Sequence, residues 1–219
     1  MKLLLISSSP REEKSNTFLL AKEVLRGASS DATATSETVH LCGLRINFCR
    51  HCECCHKRIM RCPIKDDVRP VLEKMLAADG IIIASPNYIN QVTGYMKTLF
   101  DRSSHFIHCK RLAGKYVAGV VTSGSGDEGW VLNYIGYYAN VCGAKFSGGV
   151  SSSARPGREN MSEAYKLGRA LASDIKEKKN YSGQAKIIEN GRKHFGKIMS
   201  ARKEDWVEEY RYWLDRGWL

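Results

Sequence analysis

KLLLISSSPREEKSNT, residues 2–17, is the stretch that decides the fold. Its apolar first part, residues 2–6, predicts a buried parallel strand, because such strands are covered on both faces. The polar part that follows leads into an amphipathic helix beginning near Phe18. A loop at a helix N-terminus offers free backbone N–H groups and the positive end of the helix dipole, so it favours phosphate. The alternative is a simple helix cap formed by Ser15 or Asn16.

The order strand, loop, helix recurs along the chain. Further apolar runs predict strands at residues 38–41, 81–84, 115–121 and 145–150. Helical periodicity predicts helices from Asp66 or Asp67 to near Ala77, and at about 92–105, 130–141 and 158–178. This alternation predicts an α/β fold with a parallel sheet and helices on both faces. The chain contains neither GxGxxG nor GxxxxGKS/T, which argues against a Rossmann dinucleotide site and a P-loop NTPase.

Three polar loops follow predicted strands. Besides residues 7–17, they are SPNYIN at residues 85–90 and TSGSG at residues 122–126. Ligands of open α/β sheets bind outside the carboxyl ends of the strands, and the fold places these three loops side by side. Their convergence strengthens the phosphate interpretation of the first loop.

A cysteine run, CRHCECCHKRIMRCP, occupies residues 49–63. Cys49, Cys52, Cys55 and Cys62 are separated by gaps of two, two and six residues, and Pro63 follows the last of them. Three thiolates at such short spacings can aim at one point while a loop brings the fourth, which is typical of a cubane iron–sulfur cluster. Structural zinc sites more often use two well-separated CxxC pairs. The spacing favours an iron–sulfur cluster, with a zinc site and a metal-free loop as alternatives.

The composition limits the class of protein. A chain of 219 residues with 43% apolar residues can form one large domain or a domain with an appendage. Its apolar runs are too short to span a membrane, and the opening run stops at Ser7 without a small-residue cleavage site, so we expect a cytoplasmic protein. Eight cysteines then indicate metal or redox chemistry rather than disulfides. The net charge of +11 comes without a nucleic-acid-binding motif, so we expect no nucleic-acid or membrane partner.

The loops and the cysteine run together resemble a known family. SSSPREEKSNT (7–17), ASPNYINQVTGYMKTLFDR (84–102) and TSGSGDEGW (122–130) resemble the flavodoxin-like NADPH-dependent FMN reductases. CRHCECCHKRIMRC followed by PIKDD (49–67) is similar to the iron–sulfur flavoproteins of that superfamily, and the resemblance covers about residues 1–175. It implies a flavodoxin-like, doubly wound, five-stranded parallel sheet with strand order 2-1-3-4-5. We expect an FMN-binding domain at 1–180, including a cysteine-rich cluster loop at 47–65, and a helical C-terminal extension at 181–219.

The resemblance also implies which residues bind the cofactors. The FMN phosphate would bind the first loop, at Ser9, Arg11, Ser15, Asn16 and Thr17. The isoalloxazine ring would lie against the other two loops, at Pro86, Asn87, Tyr88, Ile89, Thr122, Ser123, Gly124 and Ser125. Tyr88 offers a flat surface for the ring, although a core tyrosine with its hydroxyl at the rim is the alternative. Cys49, Cys52, Cys55 and Cys62 would hold a 4Fe–4S cluster, and the extra thiol of Cys54 leaves open which four cysteines bind.

The implied function is an FMN-dependent oxidoreductase, or electron-transfer flavoprotein, that passes electrons between FMN and a 4Fe–4S cluster. The cofactors carry the chemistry, so we expect no catalytic side chain. Two alternatives remain: a cluster-free NAD(P)H-dependent FMN or quinone reductase, and a zinc-stabilised basic binding module without flavin. The expected partners are an electron carrier such as ferredoxin, or NAD(P)H, and further copies of the chain in a homodimer or homotetramer.

Basic side chains surround the cysteines, at Arg50, His51, His56, Lys57, Arg58 and Arg61. They would stabilise a negatively charged cluster and raise its potential, or dock an acidic electron carrier. A solvated basic loop is the alternative.

The C-terminal stretch is amphipathic and rich in aromatic residues, with Trp206, Tyr210, Trp213 and Trp218. Apolar surface of this extent needs a cover. The stretch can pack on its own domain or on a neighbouring subunit, and we expect the neighbouring subunit.

Overall fold

Five parallel strands form one sheet in the order β2-β1-β3-β4-β5. The computed structural model of the chain describes residues 1–30, 33–153 and 155–219. The strands are β1 Lys2–Ser7, β2 Thr35–His40, β3 Gly80–Pro86, β4 Tyr116–Thr122 and β5 Lys145–Ser152. Each pairs in parallel with its neighbours in the sheet. The predicted flavodoxin-like strand order is therefore confirmed.

The first strand shows why both faces of the sheet are covered. Leu3 and Leu5 belong to one buried apolar cluster, whereas Leu4 and Ile6 belong to another. Successive side chains of a strand point to opposite faces, so a continuous apolar run requires a helical layer on each side.

Helices alternate with the strands. They are α1 Asn16–Ala28, α2 Cys54–Lys57, α3 Val68–Ala77, α4 Gly94–Arg102, α5 Ser104–His108, α6 Glu128–Val141, α7 Arg158–Glu177, α8 Ser182–Ala201 and α9 Val207–Asp215. Side chains of α1 and α7 pack with Leu3 and Leu5, whereas those of α3, α4 and α6 pack with Leu4 and Ile6. Within the described ranges, no helix has the length and apolar character needed to cross a membrane.

The helices α1 and α7 approach each other through glycine. A Cβ atom built on Gly168 would lie 2.0 Å from the carbonyl oxygen of Val24, and one built on Gly27 would lie 2.2 Å from the carbonyl oxygen of Tyr165. Any larger residue at these positions would force the two helices apart. The close contact fixes α1, whose N-terminus faces the first polar loop.

Two predicted elements differ from the observed ones. The second strand was expected at 38–41 but begins at Thr35, because the first half of this edge strand is exposed and polar and gives no apolar signal. The helix expected over about 92–105 is split into α4 and α5 at Ser103. The Ser103 hydroxyl donates to the Phe100 carbonyl at 2.8 Å and so competes with the helical hydrogen-bond pattern.

The C-terminal helices fold back onto their own chain. Trp206 and Trp213 are buried, and together with Cys109 and Met199 they form a small apolar cluster. The expectation that a neighbouring subunit covers these aromatic residues is therefore wrong for Trp206 and Trp213. Burial also raises the pKa of the Cys109 thiol.

Candidate functional site

The three polar loops meet in one cavity at the carboxyl edge of the sheet. Every residue that lines it was predicted to contact FMN: Ser9, Arg11, Ser15, Asn16, Thr17, Pro86, Asn87, Tyr88, Thr122, Ser123 and Gly124. Two further predicted residues, Ile89 and Ser125, do not line the cavity. The fold thus brings together residues that are more than 100 positions apart.

Hydrogen bonds between the loops hold the rim of the cavity. The hydroxyls of Thr17 and Thr122 are 2.6 Å apart, which joins the first loop to the third. Asn87 joins the second loop to the third: its backbone N–H donates to the Thr122 carbonyl at 2.7 Å, and its Nδ2 donates to the Gly126 carbonyl at 3.1 Å. The rim is therefore held by hydrogen bonds between the loops.

The first loop ends at the N-terminus of α1. The Ser15 hydroxyl accepts a hydrogen bond from the Phe18 N–H at 2.9 Å and caps the helix. This is the helix cap that the sequence offered as the alternative to a phosphate site. Ser15 also lines the cavity, so capping and ligand binding by this loop are compatible. The positive end of the helix dipole and the exposed guanidinium of Arg11 together suit an anionic group.

The second loop presents Tyr88 at the rim. Its side chain is 52% exposed, so the alternative of a core tyrosine is wrong. The next two residues, Ile89 and Asn90, have positive φ angles of 52° and 55°. This left-handed backbone is unfavourable for a β-branched residue, and the Ile89 side chain is 99% exposed. Asn87 lines the cavity, and its Oδ1 is buried and bonds to no polar atom of the described residues.

A second cavity lies in the cysteine loop. Among the residues that line it are Cys49, Cys52, Cys55 and Cys62, the four predicted ligands, and not Cys54. The loop backbone bends sharply around these cysteines: His51, Glu53 and Met60 have positive φ angles of 49°, 55° and 64°. Cys49 and Cys52 are exposed, and Cys55 and Cys62 are half-buried.

The first and last cysteines each accept a hydrogen bond on sulfur. The backbone N–H of His51 donates to Cys49 Sγ at 3.4 Å, and Arg102 Nη2 donates to Cys62 Sγ at 3.3 Å. Donors of this kind stabilise thiolates, which are the form of cysteine that binds metals.

The two middle cysteines also have polar neighbours. Hydrogen bonds from the backbone and thiol of Cys54 lower the pKa of Cys52, and the same side-chain bond raises the pKa of Cys54. Cys54 lies between two of the predicted ligands in sequence but does not line the cavity. Cys55 Sγ lies 3.8 Å from Ser104 Oγ and 3.9 Å from His56 Nε2.

Arg102 is a residue that sequence reasoning missed. It is the last residue of α4, and its guanidinium bonds both carboxylate oxygens of Asp66, at 2.7 and 3.1 Å, and the Asn47 carbonyl at 2.7 Å. Burial works against the charged form of Asp66, but the hydrogen bonds from Arg102, Asn47 and Val68 together outweigh it, and the pKa of Asp66 is lowered. The only sequence signal was the position of Arg102 at the end of the family-like segment 84–102.

The C-terminal helices clamp the cysteine loop. Trp206 Nε1 donates to Glu53 Oε2 at 3.0 Å, and Arg202 Nη2 pairs with the same carboxylate at 3.1 Å. The Ile59 N–H donates to Glu208 Oε2 at 2.7 Å. The loop is thus held from residues about 150 positions further along the chain.

A buried carboxylate lies at the centre of this clamp. Glu209 is fully buried, and its two oxygens accept from His56 Nδ1 at 2.8 Å and His108 Nδ1 at 3.0 Å. Burial disfavours the charged form of His56, but hydrogen bonds with Cys55 and Glu209 outweigh it and raise the pKa of His56 to about 10. The pKa of Glu209 is lowered by its two histidine partners, against the effect of burial. His56 is therefore not part of a solvated basic surface.

The two imidazoles stack against each other, with ring centroids 4.5 Å apart and an angle of 15° between the rings. Both Nδ1 atoms bond to the Glu209 carboxylate, so the group His56, His108 and Glu209 forms a hydrogen-bonded network.

A five-stranded parallel sheet in this order, with a polar cavity at its carboxyl edge, defines a flavodoxin-like protein. Comparison with protein families then identifies the family. The chain belongs to the NADPH-dependent FMN reductase family, whose model matches residues 1–135.

Similar proteins carry a more specific description. The chain is 40% identical over 129 residues to an iron–sulfur flavoprotein of Methanocaldococcus jannaschii, covering 59% of this chain and 65% of the relative. It is 41% identical over 130 residues to an iron–sulfur flavoprotein of Archaeoglobus fulgidus, covering 59% of this chain and 62% of the relative. The chain thus spans less than two thirds of the length of either relative. A solved flavone reductase shares the fold, with a TM-score of 0.63, 24% identity, and coverage of 80% of this chain and 63% of that structure.

Replacing Glu209 tests whether the clamp holds the loop. We expect Glu209→Gln to lower the free energy of unfolding by about 3 kcal/mol, because it leaves a charged histidine buried without its partner. Glu204→Gln is the matched control. Glu204 is exposed and makes a long ion pair of 4.0 Å with Lys203, so its replacement should change the free energy of unfolding by less than about 0.5 kcal/mol. Urea unfolding of both variants measures the difference, and equal effects would contradict the clamp.

Proposed function

We propose that the protein is an FMN-dependent electron-transfer oxidoreductase that also holds a 4Fe–4S cluster in its cysteine loop. The observation that carries the proposal is the pair of cavities: one lined by the three strand-end loops and the other by Cys49, Cys52, Cys55 and Cys62. The family match supports a flavin enzyme, and the relatives described as iron–sulfur flavoproteins support the cluster.

The residues of the first cavity fit FMN. An anionic phosphate would meet the N-terminus of α1, the hydroxyls of Ser9 and Thr17, and the guanidinium of Arg11. The flat ring would meet Tyr88 and the unpaired acceptor of Asn87. Ile89 and Ser125, which the resemblance places at the ring, stay predictions, since neither lines the cavity.

The residues of the second cavity fit a cluster with four thiolate ligands. Four sulfur donors suit iron–sulfur clusters, and the cavity adds the hydrogen-bond donors that such sulfurs need. Cys54 is not a ligand in this proposal, because it does not line the cavity that the other four cysteines share.

The chemistry divides between cofactors and protein. Bound FMN supplies one- and two-electron chemistry, and a bound 4Fe–4S cluster supplies one-electron transfer. The protein would bind and orient the two groups: the Thr17–Thr122 contact joins two loops of the flavin cavity, and the His56–Glu209 bond ties the cysteine loop to the C-terminal helices. No side chain is required to move a proton, so we assign no catalytic residue.

The partner belongs to the same proposal. Arg50, His51, Lys57, Arg58 and Arg61 are exposed around the cysteine loop, where Cys49 and Cys52 also reach the surface. Such a surface favours an acidic electron carrier such as ferredoxin, because complementary charge speeds encounter. NAD(P)H is the other candidate donor, in keeping with the family. Three expectations stay predictions from the sequence. They are the homodimer or homotetramer, the cytoplasmic location, and the boundary at residue 180 between the FMN-binding domain and the C-terminal extension.

Arg11 provides a test of the flavin site. We expect Arg11→Ala to weaken FMN binding by about ten- to a hundredfold, because a charge-assisted hydrogen bond to phosphate contributes about 1.5–3 kcal/mol. Arg26→Ala removes the same charge at the far end of α1, where Arg26 pairs with Glu23, and should leave the affinity unchanged. Fluorescence titration of the flavin-free protein measures both. A similar loss in the two variants would mean that the phosphate does not sit on the first loop.

Cys54 and Cys55 provide a test of the cluster site, since they are neighbours with different expected roles. Cys55→Ala should abolish the cluster, whereas Cys54→Ala should retain about four irons per chain. Iron and acid-labile sulfide are assayed after anaerobic reconstitution, with flavin content as the check on folding. If only Cys54→Ala loses its iron, Cys54 is the ligand and Cys55 is not. If the parent protein binds flavin but no iron, the alternative of a cluster-free reductase is correct.

A further inference from the structure

Arg102 is a buried arginine that is hydrogen-bonded to a predicted cluster ligand. Its side chain is 2% exposed, and Nη2 donates to Cys62 Sγ at 3.3 Å. We propose that Arg102 is a positioning residue that sets the reduction potential of the cluster by donating a hydrogen bond to the Cys62 sulfur. The proposal rests on the proposed function, because it requires a cluster at Cys62.

The guanidinium is held in one orientation. Asp66, itself only 1% exposed, accepts from both terminal nitrogens at 2.7 and 3.1 Å, and the Asn47 carbonyl accepts from Nη1 at 2.7 Å. A bidentate pair of this kind fixes the plane of the guanidinium as well as its position. The donor to Cys62 is therefore aimed by the protein before any cluster binds.

Arg102 also has an unused donor. Its Nε is buried and has no hydrogen-bond partner among the described residues, although the side chain lines the cysteine cavity. Buried N–H groups are rarely left unpaired, because each costs desolvation free energy. An unpaired donor beside four cysteines is explained if further sulfur atoms occupy the cavity.

The expected effect has a definite sign. A 4Fe–4S cluster with four thiolate ligands gains negative charge on reduction, and a hydrogen bond to a ligand sulfur stabilises the more negative state. Burial strengthens the interaction, because water does not screen it. Arg61 is adjacent to Cys62 in sequence but exposed, so its charge is screened. Arg102 should therefore raise the potential and Arg61 should not.

Arg102 reaches the cysteines from the flavin side of the molecule. It ends α4, and the N-cap of α4 is Thr93, whose backbone N–H donates to Ser85 Oγ at 3.0 Å at the end of β3. One short helix thus joins the strand that carries the flavin loop to the residue that contacts Cys62.

The test uses a double variant, because removing Arg102 alone would leave Asp66 buried without its partner. Arg102→Gln with Asp66→Asn removes the pair together. We expect its cluster potential to fall by about 59 mV, which is a tenfold change in the one-electron reduction equilibrium. Asp66→Asn alone keeps the cation and should not lower the potential, and Arg61→Gln is the exposed control with no shift. EPR-monitored redox titration of the anaerobically purified holoproteins gives the potentials, with iron and sulfide assayed on each sample.

The outcomes separate the two proposals. A parent without iron would refute the proposed function itself. A parent and a double variant with full iron and equal potentials would refute only the role of Arg102, as would an equal fall in Arg61→Gln. If the double variant binds no cluster, Arg102→Lys replaces it: the charge stays but the planar fork is lost. Its potential should then be more negative than that of the parent, and an unchanged value would overturn the proposal.

Discussion

The structure depends on a buried carboxylate that joins three parts of the chain. Glu209 on α9 accepts hydrogen bonds from His56 in the cysteine loop and from His108 on α5. A loop with several left-handed residues and exposed cysteines has little apolar surface of its own, so it cannot hold its shape by burial alone. The charge pairs and the aromatic cover of Trp206 supply what a hydrophobic core would otherwise supply. The C-terminal helices therefore form part of the cysteine site.

The two cavities are built on different principles. The flavin cavity follows from topology, because parallel strands place their carboxyl-end loops at one edge and a few bonds such as Thr17–Thr122 complete the rim. The cysteine cavity lies in an insertion between β2 and α3, and is organised by side chains that reach it from α4, α5 and α9. The first cavity thus depends on the parallel sheet, whereas the second also depends on the C-terminal helix α9.

The sequence was informative where the signal is local. Apolar runs predicted all five strands, since strands such as β3 are buried on both faces, and the loop residues at their ends line the predicted cavity. The spacing of Cys49, Cys52, Cys55 and Cys62 likewise selected the four cysteines that share a cavity. What could not be predicted is pairing across long distances. Arg102 meets Asp66 across 36 residues and Glu209 meets His56 across 153, and nothing in either local sequence indicates its partner.

The central claim is that one chain holds both a flavin and an iron–sulfur cluster. The most direct measurement is an anaerobic absorption spectrum of the purified protein, with iron, acid-labile sulfide, zinc and FMN assayed on the same sample. The account predicts flavin bands over a broad brown absorption, with about four irons and four sulfides per chain and no stoichiometric zinc. Flavin bands alone, with no iron after anaerobic reconstitution, or a colourless protein that contains zinc, would contradict it.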